Sequence, residues 1–570
     1  MRYCALACDF DGTLASGGRV REPTVAALRE LRYSGRRLLL VTGRQVPDLC
    51  AVFPQLELFD GVVAENGAVV YRPQSRETHV LCGPPQPRLV AELAARGVEP
   101  LAVGEAIVAT WEPHERTVLE VIRVLGLELQ VIFNKGAVMV LPSGVNKATG
   151  LRAALAELRL SPRNVVGIGD AENDHAFLGA CECGVAVASA LPTVQESADH
   201  VTAGANGAGV EELIRGLLAS DLAELESSLV RHHVELGRDA RDAPLALPGY
   251  GASVLVAGTS GSGKSTFASG LVERLRAHDA QVVVIDPEGD YQDLPDIASI
   301  GSSDRAPRID EVLELLEPAE QSVSVNLLDV ELAQRPALFE SLLIRLHELR
   351  ARVGRPHWIV VDEAHHLLPR GRTPSPRLVA PDLQGLLWIT VHAEHLAQPV
   401  VASVDHVVAL GREPAATLRA VAAARDLPAP RLAGERPLEA GEALLWRPGR
   451  DGAPIRFRFS GPRAARRRHV RKYAEGELGP DRSFYFRGPD EALHLRAANL
   501  TRFLELADGV DDATWQHHLA RGDYSRWFER DIKDPELAEE ARAIERARPP
   551  PAEARARLRE AITRRYTMPA

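Results

Sequence analysis

The sequence predicts two successive α/β domains followed by a mainly helical module, and three observations predict it. Short apolar runs (Leu38–Val41, Val62–Val63, Val165–Ile168, Val185–Val187) alternate with helix-like stretches up to about residue 218. That is the pattern of a parallel sheet wrapped by helices. The alternation restarts at Val254 and fades after "IRFRFSG" (Ile455–Gly461). Beyond it strand alternation stops, and the chain ends in a proline break followed by a highly charged helix, "RARPPPAEARARLREAITRRY". The expected boundaries are 1–218, with a smaller insertion at about 72–144, then a linker at 219–248, a second domain at 249–461, and 462–570. The linker is expected as a charged helical stretch, "LAELESSLVRHHVELGRDARD", running into "APLALPGYG".

A chain of 570 residues is too long for one core. Hydrophobic content of 45% and charged content of 25% are those of ordinary globular proteins. A net charge of −11 gives no overall pull towards nucleic acid, so such binding needs a local basic patch. The six cysteines (Cys4, Cys8, Cys50, Cys82, Cys181, Cys183) form no CxxC pair, as expected of reduced thiols rather than a disulfide framework or zinc site. No signal-like segment precedes Asp9, and no apolar run reaches the ~18–20 residues of a membrane span. The expectation is a soluble, cytoplasmic protein without a membrane partner.

The first strand runs into "CDFDGTL", where Asp9 and Asp11 stand one residue apart. Their repulsion is costly unless a cation or a reaction uses both. Taken alone, the segment also reads as an Asp-Gly turn. Later segments favour a site: "LLLVTGR" puts Thr42 at a strand tip, "GVNKATGL" supplies Lys147, and "VVGIGDAENDHAFL" puts Asp170 and Asp174 beyond another strand. In a parallel sheet these strand ends share one edge, where ligands bind. Four carboxylates, a hydroxyl and an ammonium suit Mg²⁺ plus a phosphate.

In this order the residues resemble the haloacid dehalogenase-like phosphatases, over roughly residues 1–215. The "AENGAVVY" and "GDAENDHAFL" segments resemble the subgroup of Cof-type and sucrose-phosphatase-like enzymes. The resemblance implies a Rossmann-like phosphatase domain with an inserted α+β cap, acting on a small phosphorylated substrate. It implies Asp9 as nucleophile through an aspartyl-phosphate, and Asp11 as the acid that later activates water. Thr42 and Lys147 would hold the phosphoryl group. Mg²⁺ would bind Asp170, Asp9 and the Asp11 carbonyl, with Asp174 orienting Lys147 or a metal-bound water. Two features depart from the pattern: the cap is small, and Ser189 stands where relatives often carry Asn.

"GTSGSGKST" follows the strand-like "SVLVA" and opens a helix-like run, the strand–loop–helix setting of a phosphate-binding P-loop. Backbone N–H groups of Gly258, Thr259, Ser260, Gly261, Ser262 and Gly263 would cradle ATP phosphates. Lys264 would reach the β/γ oxygens and Ser265, followed by Thr266, would ligate Mg²⁺. "HWIVVDEAHHL" ends a strand in Asp362, suited to the Mg²⁺ shell, and Glu363, suited to polarising water. That glutamate argues for hydrolysis over phosphate transfer to an alcohol. His365 and His366 are adjacent on a helix and face different ways, so packed or surface histidines are favoured over a metal pair. "VVVIDPEGDYQDL" and "LLWITVHAEHL" resemble segments of the HerA and FtsK class of hexameric ATPases, over about residues 245–460. That class implies a homo-oligomeric ring, a hexamer, with an arginine reaching the neighbour's ATP. Arg372 and Arg412 are the candidates, and His392 stands where the class usually has glutamine.

The run Arg463, Arg466, Arg467, Arg468, Arg471 and Lys472 (463–472) reads either as a solvated linker or as a phosphate-binding patch with DNA as partner. Aromatics in "SFYFRGP", "DATWQHHL" and "GDYSRWFERDIKD" fit the core of a small bundle better than a base-stacking surface. The leading function is therefore a bifunctional chain, an Mg²⁺-dependent phosphomonoesterase joined to an ATPase. A DNA-handling motor with a phosphatase-like sensor, and a polynucleotide kinase–phosphatase, are the alternatives.

Overall fold

The computed structural model describes residues 1–259, 261–292, 294–372, 384–432, 436–450, 452–463, 478, 482–489, 491, 493–532 and 534–566. It forms two compact units, Met1–Gly461 and Pro462–Ala570. The first unit contains two large sheets. The N-terminal sheet has the strand order His200–Val201, Cys183–Ala186, Val165–Gly169, Ala5–Asp9, Arg37–Val41, Gly61–Ala64, Val69–Arg72, Glu77–Val80. The first six are parallel and the last two antiparallel. Ala5–Asp9 is buried throughout because it is a central strand of a sheet that helices pack against, which is why it reads as one apolar run.

The insertion is a four-stranded antiparallel sheet in the order Leu129–Asn134, Ala137–Pro142, Val108–Trp111, Ala102–Val103. Helices Pro87–Ala95 and Glu115–Leu125 close its own core around Leu89, Leu93, Val118, Val121, Val138 and Val140. It begins later than residue 72, because Val69–Arg72 and Glu77–Val80 extend the main sheet as a hairpin.

The second sheet has eleven strands, ordered Pro244–Leu247, Val234–Asp239, Ile455–Phe459, Glu442–Trp446, His406–Ala409, Ser253–Ala257, Leu386–Thr390, Trp358–Val361, Val282–Asp286, Ser322–Asn326, Ile297–Ile300. From His406–Ala409 onward they are parallel. The stretch expected as a linker at 219–248 departs from that reading. After a short 3₁₀ turn (Ala223–Ser228), Val234–Asp239 and Pro244–Leu247 form a hairpin on this sheet, Gly237 pairing with Phe459. Val234 and Leu236 are buried while Glu235 between them is less so, a period-two pattern that the surrounding charges disguise.

The two sheets meet at their amino-terminal edges. Arg355 is buried and donates from Nη2 to the main-chain oxygens of Arg159 (2.6 Å) and Glu317 (2.5 Å). His357, just before Trp358–Val361, accepts the Gln281 N–H at Nδ1 (2.8 Å) and meets Asn164 Oδ1 through Nε2 (3.0 Å). Burial, aided by Arg355, holds His357 well below the usual imidazole range, so it serves as a neutral connector. Asn164 Nδ2 also donates to the Gly354 carbonyl (3.2 Å). The carboxyl edges of the two sheets therefore face in opposite directions. A five-residue and a four-residue strand intervene, at roughly 3.3 Å per residue, a combined run of about 30 Å.

Among its described residues, the second unit pairs Phe484–Phe486 with Leu495–Ala497 and adds five helices, Leu500–Gly509, Asp512–Arg521, Asp523–Arg530, Pro535–Ala547 and Pro551–Tyr566. Side chains of Asn499, Asp511 and Asp534 cap three of them. Phe484, Phe486, Phe503, Trp515, Tyr524, Trp527 and Phe528 are buried in one aromatic core. Of the basic run, Arg466, Arg467, Arg468, Arg471 and Lys472 lie outside the described residues. Among the described residues no helix is long and apolar enough to cross a membrane.

Candidate active sites

Asp9 ends its strand on the carboxyl edge and is buried. Lys147 comes to it from the first turn of helix Lys147–Glu157, which Asn146 starts by accepting the Ala148 and Thr149 N–H groups. A cation at a helix amino terminus is opposed by the helix dipole. Here two carboxylates offset that: Lys147 Nζ donates to Asp9 Oδ1 (2.6 Å) and Asp174 Oδ1 (2.5 Å). Burial lowers the Lys147 ammonium's pKa, but Asp174 and Asp9 outweigh it and the net shift is upward. Burial, then Asp174 and Asp170, push the Asp9 carboxyl well above the usual carboxylate range against the pull of Lys147. A bound cation would relieve this congestion.

Both carboxylate oxygens of Asp174 already have partners within the protein. Its Oδ1 takes Lys147 and its Oδ2 accepts the Asp170 and Ala171 N–H groups (2.8 and 2.9 Å). Asp170 follows Val165–Gly169 and accepts Thr13 Oγ1 at Oδ1 (2.9 Å). Asp9, Asp170 and Asp174 can bring one oxygen each within 4.8 Å of one another. Hard oxygen donors so close together fit a Mg²⁺ ion. Thr42 sits at the tip of Arg37–Val41, but its N–H donates to the Val63 carbonyl, leaving the hydroxyl as its donor to a phosphate. Ser189 accepts the Asn206 N–H.

Three residues escape the sequence reading. Arg44 forks onto Asp11 with Nε at 2.6 Å and Nη2 at 2.8 Å, so an acid–base step by Asp11 needs this fork to open. Thr13 fixes Asp170, and Lys135 reaches Asp170 from the cap. Arg44 and Thr13 lie inside motifs already singled out, whereas nothing in the cap sequence marks Lys135. Gly12 has φ +93°, and a Cβ there would stand 2.3 Å from Asp170 Oδ2, so the turn requires glycine.

On the opposite edge, Ser253–Ala257 leads through Gly258 and Thr259 into Gly261, Ser262, Gly263 and helix Lys264–Ala277, whose first turn holds Ser265 and Thr266. Ser260 lies outside the described residues. Gly263 is left-handed (φ +93°), and Lys264 Nζ donates to the Gly258 and Thr259 carbonyls (2.8 and 3.2 Å). Leu386–Thr390 lies between the P-loop strand and Trp358–Val361, placing Asp362 and Glu363 two strands, about 10 Å, from that loop's strand. Glu363 is itself left-handed (φ 43°), a strained setting for a non-glycine residue, with its N–H on Asp362 Oδ1 (3.0 Å). His365 meets Thr390 Oγ1 (3.2 Å) and packs on His366, with ring centroids 4.1 Å apart. Burial, then the neighbouring imidazoles and Lys264, lower His365 to about 4. His392 follows the strand Leu386–Thr390, half-exposed beside Glu394. Arg372 pairs with Glu340 (3.0 Å) and Arg412 is exposed.

Comparison with known proteins bears on both α/β domains. Residues 6–93 and 125–214 match the profile of the haloacid dehalogenase-like hydrolases. A phosphoglycolate phosphatase of Methanothermobacter thermautotrophicus is 34% identical over 221 residues, 37% of this chain and 97% of the relative. The chain belongs to the haloacid dehalogenase-like hydrolases. A phosphoglycolate phosphatase of Haloarcula marismortui is 33% identical to this hydrolase over 218 residues, 37% of this chain and 95% of the relative. A solved haloacid dehalogenase-like hydrolase from Bacteroides thetaiotaomicron is 20% identical, with a TM-score of 0.33 over 38% of this chain and 99% of that one. Residues 237–348 match the helicase HerA central domain, so a HerA-like ATPase domain is fused to the hydrolase domain. That match begins inside the hairpin once expected as linker and ends before Asp362.

Proposed function

We propose that the chain is a bifunctional hydrolase, an Mg²⁺-dependent phosphomonoesterase with a second, ATP-hydrolysing site on the HerA-like domain. The observation that carries the first half is the buried Asp9–Lys147–Asp174 chain beside Asp170. An Asp9 oxygen attacks phosphorus, the P–O bond to the leaving alcohol breaks, and an aspartyl-phosphate (an acyl phosphate) forms; water then attacks that phosphorus, releasing phosphate and freeing Asp9. Lys147 and the Thr42 hydroxyl hold the phosphoryl oxygens. Asp11, once turned from Arg44, protonates the leaving oxygen and then takes a proton from water. Asp9, Asp170 and the Asp11 carbonyl would hold Mg²⁺, which screens charge between nucleophile and phosphate. The names of the curated relatives support phosphoglycolate, or another small phosphomonoester carrying a carboxylate, as substrate.

Phosphate release from a panel of phosphoglycolate, sugar phosphates and nucleotides, with Mg²⁺ or with EDTA, tests this. Release from phosphoglycolate that EDTA abolishes is expected; no release from any of them would refute it. The back-to-back edges favour two independent reactions over hand-off of a nucleic-acid end between kinase and phosphatase sites. The helicase relationship of the second domain favours one further reading, a DNA-handling motor regulated by the first domain. DNA-stimulated ATP hydrolysis without phosphomonoester turnover would select it.

The HerA relationship also supports a homo-hexameric ring in which Arg372 or Arg412 reaches the neighbour's ATP. Such fingers supply about 10³–10⁵ in rate in other P-loop enzymes, so a monomer should be a poor ATPase. Light scattering with a slowly hydrolysed ATP analogue should show the ring. A monomeric mass with full activity at nanomolar protein would rule it out.

A further inference from the structure

One cap side chain that reaches the hydrolase site is not used by the proposed chemistry. Its hairpin, Leu129–Asn134 and Ala137–Pro142, turns through Lys135 and Gly136, both left-handed (φ 49° and 89°). Such two-residue turns select Asn, Asp or Gly at the first position, so lysine there is not chosen for the turn. The side chain is about half exposed, yet Nζ lies 2.5 Å from Asp170 Oδ2 and 3.3 Å from the Asp11 carbonyl oxygen. Gly12 makes room for it, since a Cβ there would stand 2.4 Å from Nζ. The two oxygens that hold this ammonium are the two that, with Asp9, would hold Mg²⁺.

A Mg²⁺ ion binds its oxygens at about 2.0–2.1 Å. An ammonium on those same oxygens would sit within a few ångströms of a divalent charge, a strong repulsion at a partly buried site. We propose that Lys135 is a tethered cation occupying the metal's place between Asp170 and the Asp11 carbonyl, so that Mg²⁺ must expel it and thereby release the cap hairpin. The inference rests on the metal reading above. Metal affinity then depends on a residue that is not a ligand, and the cap's grip on the core depends on whether metal is bound.

The hairpin carries its own reporter. Trp111 lies against the turn, 3.8 Å from where a Gly136 Cβ would stand, and is 53% exposed. The other five tryptophans are buried. The experiment titrates the full-length chain, without nucleotide, with Mn²⁺ as probe. Free ion is read by electron paramagnetic resonance and Trp111 by fluorescence quenching with acrylamide. Lys135→Met should bind Mn²⁺ about tenfold more tightly or better than the wild-type chain. Lys135→Arg, which keeps the charge, should stay near wild type. Trp111 quenching should rise with metal in the wild-type chain and start high in Lys135→Met. Unchanged or weaker Mn²⁺ binding in Lys135→Met, with binding still abolished by Asp170→Asn, overturns this inference and leaves the metal reading intact. Absence of any Asp170-dependent binding in the wild-type chain would instead remove the metal reading, and this inference with it.

Discussion

Asp9→Asn should reduce phosphomonoester turnover by at least about 10³-fold, because the amide cannot attack phosphorus and its neighbours cannot replace the nucleophile. The substitution is nearly isosteric, and Asn Oδ1 can still accept from Lys147, which keeps Asp174 as its second partner. Wild-type Asp9 is held among carboxylates that, with burial, push its pKa up. A neutral side chain there removes repulsion, so the metal-free variant should melt no lower than the wild-type chain. ATP hydrolysis should not change, since the two carboxyl edges face apart and the domains meet through Arg355, His357 and Asn164 instead. Retained phosphatase activity would dismiss Asp9 as nucleophile. A parallel loss of ATPase would mean that the sites are coupled across that interface.

The second large effect is expected at Glu363. Glu363→Gln should bind ATP as the wild-type chain does and hydrolyse it about 10²–10⁴-fold more slowly, the usual contribution of a positioned general base. Lys264→Ala should instead lose nucleotide binding, because the phosphates lose their cation. His365, about 3.5 Å from Glu363, does not counterfeit this result. With its pKa near 4 it is neutral at pH 7, so it leaves the glutamate's charge intact. Equilibrium binding of a fluorescent ATP analogue, measured beside phosphate release, separates the two variants. Equal hydrolysis in both would return the second site to phosphate transfer or to binding alone.

Much of both candidate sites is legible in the sequence because the candidate residues sit at strand ends, and a buried parallel strand announces itself as an apolar run. Asp9 after "ALAC", Asp170 after "VVGIG", Lys264 after the glycine-rich loop and Asp362 after "WIVV" are fixed by that local grammar. The fusion of a hydrolase with a HerA-like domain was likewise carried by motifs of a few residues each. Tertiary structure alone decided what depends on distant partners. The pairing of Gly237 with Phe459, across more than two hundred positions, turned an expected linker into an edge hairpin. The meeting of Asn164 with His357 set the two sites on opposite edges. Asp11 lies on Arg44, and the cap's Lys135 on Asp170, only because separate elements converge there. Such contacts depend on which distant segments meet, which leaves no periodicity along the chain, whereas burial of apolar strands does.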